Sequence, residues 1–496
     1  MTIMDCRPFL AVGVSFLAAV LISFSRRYPN VRESWSVIAS FIKFGLIISM
    51  VPGVLAGVTY EWTLFQITDT IGFTLRADSA GILFACLAAL LWIPINFYSI
   101  GYMRCNNEHE QTGYFAAFAI CMSSVMGIAM ASNLLTFFFF YELLTIASYP
   151  LVLHKRNEEA LLASRKYLIY TLISGQLFLA GLVAVYCISG TMDFKAGGFL
   201  TTDMAPTWQL QLIFLIMILA GSVKAAVMPL HGWLPAAMIA PTPVSALLHA
   251  VAVVKTGVFA VLRIIGFVFG PKLLADILAW FAAGSIIISS LIAIQQDNLK
   301  RRLAFSTIGQ LSYIVLGAAL LSPLSIKGAY LHLVAHAVMK ITLFMCAGVI
   351  IVRTHRSNIS EMYGIGKKMP ITMCCFTIAS LGIAGMPFLV GFISKWNLAL
   401  GALQSGKPLY VAVLIASAML ALTYLMPVCQ MAYFKRDPQE QFRTYGEISY
   451  RMLLPICFTT ILALVLGVMP EISPNFYAMA SQAADSICQG WTGGGW

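Results

Sequence analysis

Three ionisable side chains stand in an apolar stretch, YLHLVAHAVMKITLF, at residues 330–344. His332, His336 and Lys340 follow at intervals of four residues, so a helix would carry them on one face. Imidazole gains and loses protons near neutral pH, so a row of such groups can pass protons along a membrane helix. The pattern favours a proton path over a structural stripe. A metal-binding histidine pair is disfavoured, because no acid or thiol stands nearby in the stretch.

Further ionisable residues interrupt other apolar runs: Glu142, Lys224, Lys255 and Lys395. A charge placed at the membrane centre costs about 3 kcal/mol on insertion scales, so each needs a partner, a wet cavity or a function. A buried lysine can exchange a proton near neutral pH, whereas Arg263 stays protonated and is expected to snorkel from the end of its run. A relay role is favoured, and structural ion pairs are the alternative.

Helix-breaking residues stand beside two of these lysines, and they are Pro229, Pro235, Gly385 and Pro387. They follow Lys224 in one segment and precede Lys395 in the other, so the order of lysine and break is reversed. Proline removes a backbone hydrogen bond and opens a helix. Interrupted spans at corresponding positions of two halves indicate an inverted-repeat transporter with its ion site at the breaks.

The composition predicts which elements must position these residues. The chain has 496 residues, of which 60% are hydrophobic and 10% charged. This composition predicts a polytopic helical membrane protein, because backbone groups in lipid must be satisfied within helices. The net charge of +11 is not clustered, so no nucleic-acid binding is expected. The eleven cysteines form no C-x-x-C pair, so neither a metal site nor a redox cofactor is predicted.

Apolar windows of about 19 residues predict about fourteen spans. They lie near residues 8–24, 36–58, 79–103, 114–132, 134–153, 166–189, 208–230, 242–265, 271–295, 302–322, 326–352, 371–396, 408–434 and 451–470. The first is predicted to be a retained helix, because it lacks the small-residue cleavage site of a signal peptide. The division between the fourth and fifth spans depends on a single polar residue, Asn133.

Basic residues concentrate in every second loop between these spans, with roughly nineteen in the odd-numbered loops against about five in the even-numbered ones. The count includes Lys272, Arg436 and Arg443. Because lysine and arginine gather in cytoplasmic loops, both termini are predicted to lie on the non-cytoplasmic side. The predicted location is a bacterial or archaeal cytoplasmic membrane.

Four segments together resemble a known family. They are LLTFFFFYELLTIASYPLV, KAAVMPLHGWLPAAMIAPTPVSALLHAVAVVKTGVFAVLRI, DNLKRRLAFSTIGQLSYI and HLVAHAVMKITLF. The chain resembles, over residues 80–430, the antiporter-like subunits of respiratory complex I, of Mrp-type sodium/proton antiporters and of energy-converting hydrogenase membrane arms. The resemblance implies two inverted five-helix repeats, each with one broken helix. The implied divisions are helices 1–3 at residues 1–110, the repeats at 111–265 and 266–434, and a last helix and tail at 435–496.

The resemblance also implies roles for the buried charges. Glu142 and Lys224 match an interacting pair, Lys255 a central connecting lysine and Lys395 a terminal lysine. The stripe at residues 332–340 matches the second half-channel. Two further histidines, His231 and His249, fall in the matching segments as relay members or loop anchors. The chain departs from the family in two ways, since no long lateral helix is predicted after the last span and some relatives carry glutamate where Lys395 stands.

The leading hypothesis is a proton-translocating membrane subunit of a multisubunit ion-pumping complex. No catalytic centre of its own is expected, and it would serve as a translocase subunit beside other membrane subunits and peripheral redox subunits. A sodium/proton antiporter subunit of the Mrp type and a subunit of an inorganic-carbon uptake system remain alternatives, and sodium transport remains open. A redox subunit that binds quinone is the rival from another class.

Overall fold

The computed structural model describes residues 1–68, 71–270, 275–435 and 446–493. The chain begins with two apolar helices, α1 (Arg7–Phe24) and α2 (Pro29–Leu55). Three basic residues of the loop-charge count, Lys272, Arg436 and Arg443, lie outside the described residues.

A small sheet that the sequence analysis did not predict lies at one end of these helices. Its strands are β1 (Thr2–Met4), β2 (Thr59–Thr68) and β3 (Ile71–Ala77), in the order β1-β2-β3. β1 pairs parallel with β2, and β2 pairs antiparallel with β3. β2 is rich in the β-branched and aromatic residues that favour strands.

The first group of core helices follows α3 (Ser79–Cys105). It comprises α4 (Gln111–Ala129), α5 (Leu134–Val152), α6 (Glu158–Ser189), α7 (Thr207–Lys224), α8 (Trp233–Ala236), α9 (Thr242–Ala250) and α10 (Val253–Ile264). A 3₁₀ turn, Ala237–Ile239, extends α8, and a π-helical turn, Ile265–Phe269, extends α10.

The second group has the same number of spans. It comprises α11 (Ala275–Gln295), α12 (Leu299–Ala319), α13 (Pro323–Thr354), α14 (Ile365–Lys368), α15 (Pro370–Ala384), α16 (Val390–Gln404) and α17 (Leu409–Tyr433). The chain continues into α18 (Tyr450–Val468) and α19 (Phe476–Gly493). A 3₁₀ turn, Ile359–Glu361, precedes α14. The fourth span of each group is interrupted, after α7 in the first and between α15 and α16 in the second.

The predicted membrane-spanning helical fold is confirmed, and the predicted number of about fourteen spans agrees roughly with the structure. Within the described residues, twelve helices are long and apolar enough to cross a membrane by length and composition. α12 is a further span, whose first turn carries three basic residues, and the interrupted pair α15 and α16 supplies the last. Asn133 divides the fourth and fifth spans, because its side chain accepts a hydrogen bond from the Thr136 backbone N–H and caps α5.

The predicted span 208–230 is wrong at its end, because α7 stops at Lys224. Ala226 has a φ of +55°, which the helix cannot continue, and Pro229 lacks the N–H that would extend it. In the second group Gly385 ends α15 with a φ of +93°, a conformation that glycine adopts without strain. Both predicted interruptions are therefore present.

The tail after α18 forms a helix that the sequence analysis missed. Phe476, Met479, Ala480, Ala483, Ala484 and Ile487 are its buried apolar residues. Their spacing is that of one face of an amphipathic helix. This face packs on α13 and α3, and the Gln482 side chain donates to the Val54 carbonyl at 3.0 Å. A signal was present in the spacing, although no apolar run of spanning length accompanied it.

Arg263 does not snorkel as predicted. It is 1% exposed, and its guanidinium forms a two-bond ion pair with Asp78, with Nη2 at 2.8 Å from Oδ1. Phe259 and Phe267 lie beneath the guanidinium. Asp78 also caps α3 through the Gly81 N–H. The pair thus joins the start of α3 to the end of α10.

We expect Asp78→Asn to destabilise the protein by about 3–5 kcal/mol, because it leaves the buried Arg263 charge without its partner. Asparagine can still cap α3, so the decrease in the free energy of unfolding comes from the missing negative charge alone. Thermal unfolding of the detergent-purified chain measures it.

Glu61→Gln is the matched control, because it weakens the partly exposed Glu61–Arg76 pair, for which less than about 1 kcal/mol is expected. Asp78→Asn with Arg263→Met should recover part of the lost stability. Equal unfolding midpoints for Asp78→Asn and Glu61→Gln would contradict this account.

Candidate functional site

Lys224 lies at the C-terminal end of α7 and is fully buried. Its ammonium donates to the Tyr141 carbonyl at 2.5 Å and lies 3.2 Å from the centre of the Tyr141 ring. The helix-end carbonyls beside it also have partners. Ala220 accepts from Ser174 Oγ at 2.7 Å, and Val223 accepts from Trp233 Nε1 at 2.8 Å. Side chains thus add hydrogen bonds at the end of the broken helix, where Val223 also accepts from the Ala226 backbone N–H at 3.1 Å.

Glu142 follows Tyr141 on α5, but the structure shows no ion pair between Glu142 and Lys224. Its Oε1 atom is buried without a hydrogen-bond partner among the described residues. The carboxylate faces α6, where a Cβ atom built on Gly175 would lie 2.1 Å from Oε1. The predicted pairing therefore stays a prediction. Glu142 lies on α5, and the Lys224 ammonium is hydrogen-bonded to the preceding residue of the same helix, Tyr141.

Lys255 connects the two groups of helices. Its ammonium donates to the Leu333 carbonyl at 3.0 Å and contacts Nδ1 of His336 at 2.8 Å, both on α13. The helical backbone is interrupted before Val253, where Ala252 has a φ of −98° and a ψ of −98°. Lys255 and His336 are fully buried. The structure brings these two predicted site residues into direct contact.

His332 continues from this contact along α13. Its ring centre lies 6.3 Å from that of His336, and its Nδ1 contacts Ser394 Oγ at 2.9 Å. The ring stacks on Tyr313 at 5.1 Å, and the Lys395 ammonium lies 4.9 Å from the same Tyr313 ring. We call Lys255, His336, His332, Tyr313, Ser394 and Lys395 the central row.

Lys395 holds the second helix break. Its ammonium donates to the carbonyls of Ile383 at 2.7 Å and Ala384 at 3.2 Å, the last two residues of α15. A Cβ atom on Gly385 would lie 2.9 Å from Lys395 Cδ, so glycine also leaves space for the lysine stem. The ammonium therefore caps the end of α15 from the next helix.

Lys340 lies on the predicted stripe but has separate contacts. Its ammonium donates to Ser306 Oγ at 2.7 Å and to the Leu303 carbonyl at 3.1 Å, both on α12. Ser306 in turn contacts the Tyr424 hydroxyl at 2.9 Å. The stripe on α13 thus divides between the central row and this second polar group.

The two further histidines lie away from these contacts. His249 is fully buried against Phe344, and neither of its ring nitrogens has a hydrogen-bond partner among the described residues. His231 is half-buried in the interruption after α7, with its ring 6.1 Å from Phe305. The proline breakers Pro229 and Pro235 flank His231 in sequence. No contact assigns either histidine as relay or anchor.

Sequence reasoning missed a further buried lysine and the hydroxyl groups. Lys43 on α2 is fully buried, donates to the Met122 carbonyl at 3.0 Å and lies 4.6 Å from the centre of the Trp92 ring. The sequence signal for Lys43 was its position as a lone lysine inside the predicted span 36–58. Tyr313, Ser306 and Ser394 carry no such signal, because hydroxyl residues are common in membrane helices.

A family model described as NADH:quinone oxidoreductase/Mrp antiporter, TM, matches residues 131–423. NADH-quinone oxidoreductase subunit N of Desulforudis audaxviator is 33% identical over 404 residues, covering 78% of this chain and 80% of that protein. The chain belongs to this family of antiporter-like membrane subunits. The family resemblance predicted from the quoted segments is thereby confirmed, and so is the prediction that this is an integral membrane protein.

Two further members extend the similarity to nearly the whole chain. An Na(+)/H(+) antiporter subunit of Bacillus subtilis is 25% identical over 486 residues, covering 96% of both chains. A chain in the structure of the Mrp complex from Dietzia sp. shares the fold, with a TM-score of 0.86, 19% identity and coverage of 97% and 99%. Antiporter-like subunits of this kind assemble with other membrane subunits.

The break beside Lys224 generates a stability prediction for this antiporter-like subunit. A Cβ atom on Gly257 of α10 would lie 2.2 Å from the Ala225 nitrogen and 2.5 Å from the Lys224 carbonyl carbon. Gly257→Ala must push α10 away from the end of α7, and we expect it to cost about 1–3 kcal/mol. Thermal unfolding of the purified chain measures this.

Gly45→Ala on α2 is the control, because a Cβ atom there meets nothing within 4 Å. An unfolding midpoint of Gly257→Ala that equals that of Gly45→Ala would contradict the close approach of the two helices.

Proposed function

We propose that this antiporter-like subunit translocates protons through the membrane as part of a multisubunit ion-pumping complex. The observation that carries the proposal is the contact between Lys255 Nζ and His336 Nδ1 at 2.8 Å in the buried interior. An ammonium donor and an imidazole acceptor at this distance can exchange one proton directly. This contact also joins one half of the helical bundle to the other.

The central row supports a continuation of the transfer beyond this contact. A proton that leaves the Lys255 ammonium for His336 makes Lys255 neutral and His336 cationic. His332 would receive it next, and Lys395 would accept it once its ammonium has released its own proton, with Ser394 and Tyr313 lying between the two residues. Lysine and histidine repel metal cations when charged, so a path of this composition favours protons over sodium.

Glu142 and Lys224 are proposed to control entry to the row. In the described arrangement Lys224 donates to the Tyr141 carbonyl while the Glu142 carboxylate faces α6. A rotation that brings Glu142 to Lys224 would favour the charged ammonium, and its withdrawal would favour proton release. A widening of the interruption after Lys224, marked by Pro229, would let water reach this point, which is fully buried in the described arrangement. Lys340 would serve the second half-channel through Ser306.

The proposed setting is a bacterial or archaeal cytoplasmic membrane, with both chain termini on the non-cytoplasmic side. The alternation of basic loops supports this orientation. Peripheral redox subunits are proposed to supply the driving force. Any redox catalysis would then belong to partner chains and not to this subunit.

A sodium/proton antiporter subunit is the second candidate. The similarity to the Na(+)/H(+) antiporter subunit of Bacillus subtilis over 96% of both chains favours it. Both candidates use the central row for protons, and they differ in whether sodium moves in exchange.

We expect Lys255→Met to lower proton translocation by about 10²-fold, because the row loses its connection between the two halves. Proton uptake by vesicles that contain the assembled complex measures this, with co-purification of the partner subunits as the check on assembly. A dependence of wild-type uptake on a sodium gradient would select the antiporter candidate.

Lys43→Met is the matched control. It removes another fully buried lysine, but one whose described contacts, with Met122 and Trp92, lie outside the central row. Wild-type translocation by an assembled Lys255→Met complex would overturn the proposed path. A loss of equal size in Lys43→Met would also count against it.

Gly175→Ala tests the proposed role of Glu142 without changing an ionisable residue. The new methyl group would occupy the present position of the carboxylate and force it to move. We expect proton translocation to change at least several-fold in either direction in the same vesicles, because the Glu142–Lys224 separation sets the proton affinity of Lys224.

Gly284→Ala in α11 is the control, since a Cβ atom there meets nothing within 4 Å. Both positions lie within helices, so the change in helix propensity is shared. Translocation at the wild-type rate in Gly175→Ala, with the complex assembled, would argue against a controlling role for Glu142.

A further inference from the structure

Two histidines and a glutamate cluster at the end of the bundle that carries the basic loops, away from the central row. Glu108 and His109 lie in the loop between α3 and α4, and His154 lies just beyond the end of α5. One nitrogen of each imidazole and one carboxylate oxygen lie within 4.8 Å of one another. We propose that these three residues bind a divalent transition metal ion, with Zn²⁺ as the best match.

The burial of His154 and the missing hydrogen bond at its Nε2 atom point to a bound ion. Its side chain is only 4% exposed, and Nε2 has no hydrogen-bond partner among the described residues. The Glu108 Oε2 atom lies 3.6 Å away, beyond hydrogen-bond distance, and forms an ion pair with His154 only when the imidazole is protonated. A buried polar atom without a partner costs about 1–3 kcal/mol. A metal ion bound by this lone pair would remove that cost.

The two loops are already held together around the cluster. His109 Nε2 contacts the His154 carbonyl oxygen at 2.7 Å, and the two rings stack with their centres 4.7 Å apart. Gln111 Nε2 donates to the Glu108 carbonyl at 3.1 Å and braces the first loop. Ligand atoms around tetrahedral Zn²⁺ lie about 3.4 Å apart, so a contraction of at most about 1.4 Å is needed. The exposed His109 ring must also turn out of this stack, so that its lone pair points at the ion, and it is the ligand best placed to move.

The donor set favours zinc among common metal ions. Two imidazoles and one carboxylate are a known zinc set that leaves a fourth position for water, whereas Mg²⁺ and Ca²⁺ prefer oxygen ligands alone. A cavity of about 140 Å³ borders His154, with Tyr114 and Arg156 among its lining residues. Lys155 follows His154 in the sequence, and its positive charge would lower the affinity of the site for a cation.

The bound ion would clamp the loop after α3 to the end of α5, the helix that carries Glu142. The sequence predicts no metal site, because it has no C-x-x-C pair and no acid or thiol within the histidine stretch at residues 330–344. Here His109 and His154 are separated by 45 residues and meet only in the folded chain. Metal retention does not depend on proton transport, so this inference stands apart from the proposed function.

The test uses the purified full chain, equilibrated with Zn²⁺ and passed through a desalting column before the metal is counted by mass spectrometry. Exposed cysteines can bind zinc on their own, so Cys6, Cys105, Cys187 and Cys374 are first replaced by serine. We expect one equivalent of Zn²⁺ in this background, and a higher unfolding temperature with Zn²⁺ than with Mg²⁺.

Glu108→Gln and His109→Gln change ligands that are not buried, so the fold should persist, and each should lose the retained zinc and the thermal shift. Glu110→Gln and His355→Gln are the controls, because they change an exposed acid of the same loop and an exposed histidine elsewhere. Zinc retention below one-tenth of an equivalent in the background chain would overturn the proposal. So would full retention in His109→Gln or an equal loss in His355→Gln.

Discussion

An ammonium group in the membrane interior needs hydrogen-bond acceptors in place of water, and the fold supplies main-chain carbonyls to every buried lysine of its spans. Lys43, Lys224, Lys255, Lys340 and Lys395 donate to the carbonyls of Met122, Tyr141, Leu333, Leu303 and Ile383. Carboxylate partners would hold each charge more strongly. A neutral carbonyl stabilises the ammonium enough to permit burial while leaving a smaller barrier to proton loss. For the four of these lysines in the proposed proton path, all except Lys43, this choice of acceptor suits a charge that changes during transport.

The two helix breaks solve this solvation problem in different ways. At the second break, Lys395 uses the free carbonyls at the end of α15, so the break itself solvates the charge. At the first break, backbone N–H groups already occupy the carbonyls of residues 221–223, and the Lys224 ammonium donates to Tyr141 on another helix. Lys224 is therefore held by the helix that also carries Glu142. A shift of α5 would move both the acceptor and the carboxylate, which couples them mechanically.

The sequence predicts the features that carry a large free-energy cost in a membrane, and it does not reveal those that carry a small one. Spans, breaks and most interior charges were recognisable, because each imposes a large free-energy cost that leaves a mark on composition. Arg263 was misjudged because its partner Asp78 stands far away in sequence. The amphipathic helix α19 lacks an apolar run of spanning length. Tyr313 and Ser394 could not be found in advance, since only the folded arrangement distinguishes them from ordinary packing residues.

The spacing along α13 determines where control of the central row can act. His332 and His336 are four residues apart, a rise of about 6 Å along the helix. A hydrogen bond spans about 3 Å, so the two rings cannot exchange a proton directly as they lie. Their ring centres are 6.3 Å apart, whereas Lys255 and His336 are already in contact. Transfer between the histidines therefore requires a water molecule or a ring rotation. Hydration of this gap, set by the packing of α13 against its neighbours, is the step that a conformational change can open or close.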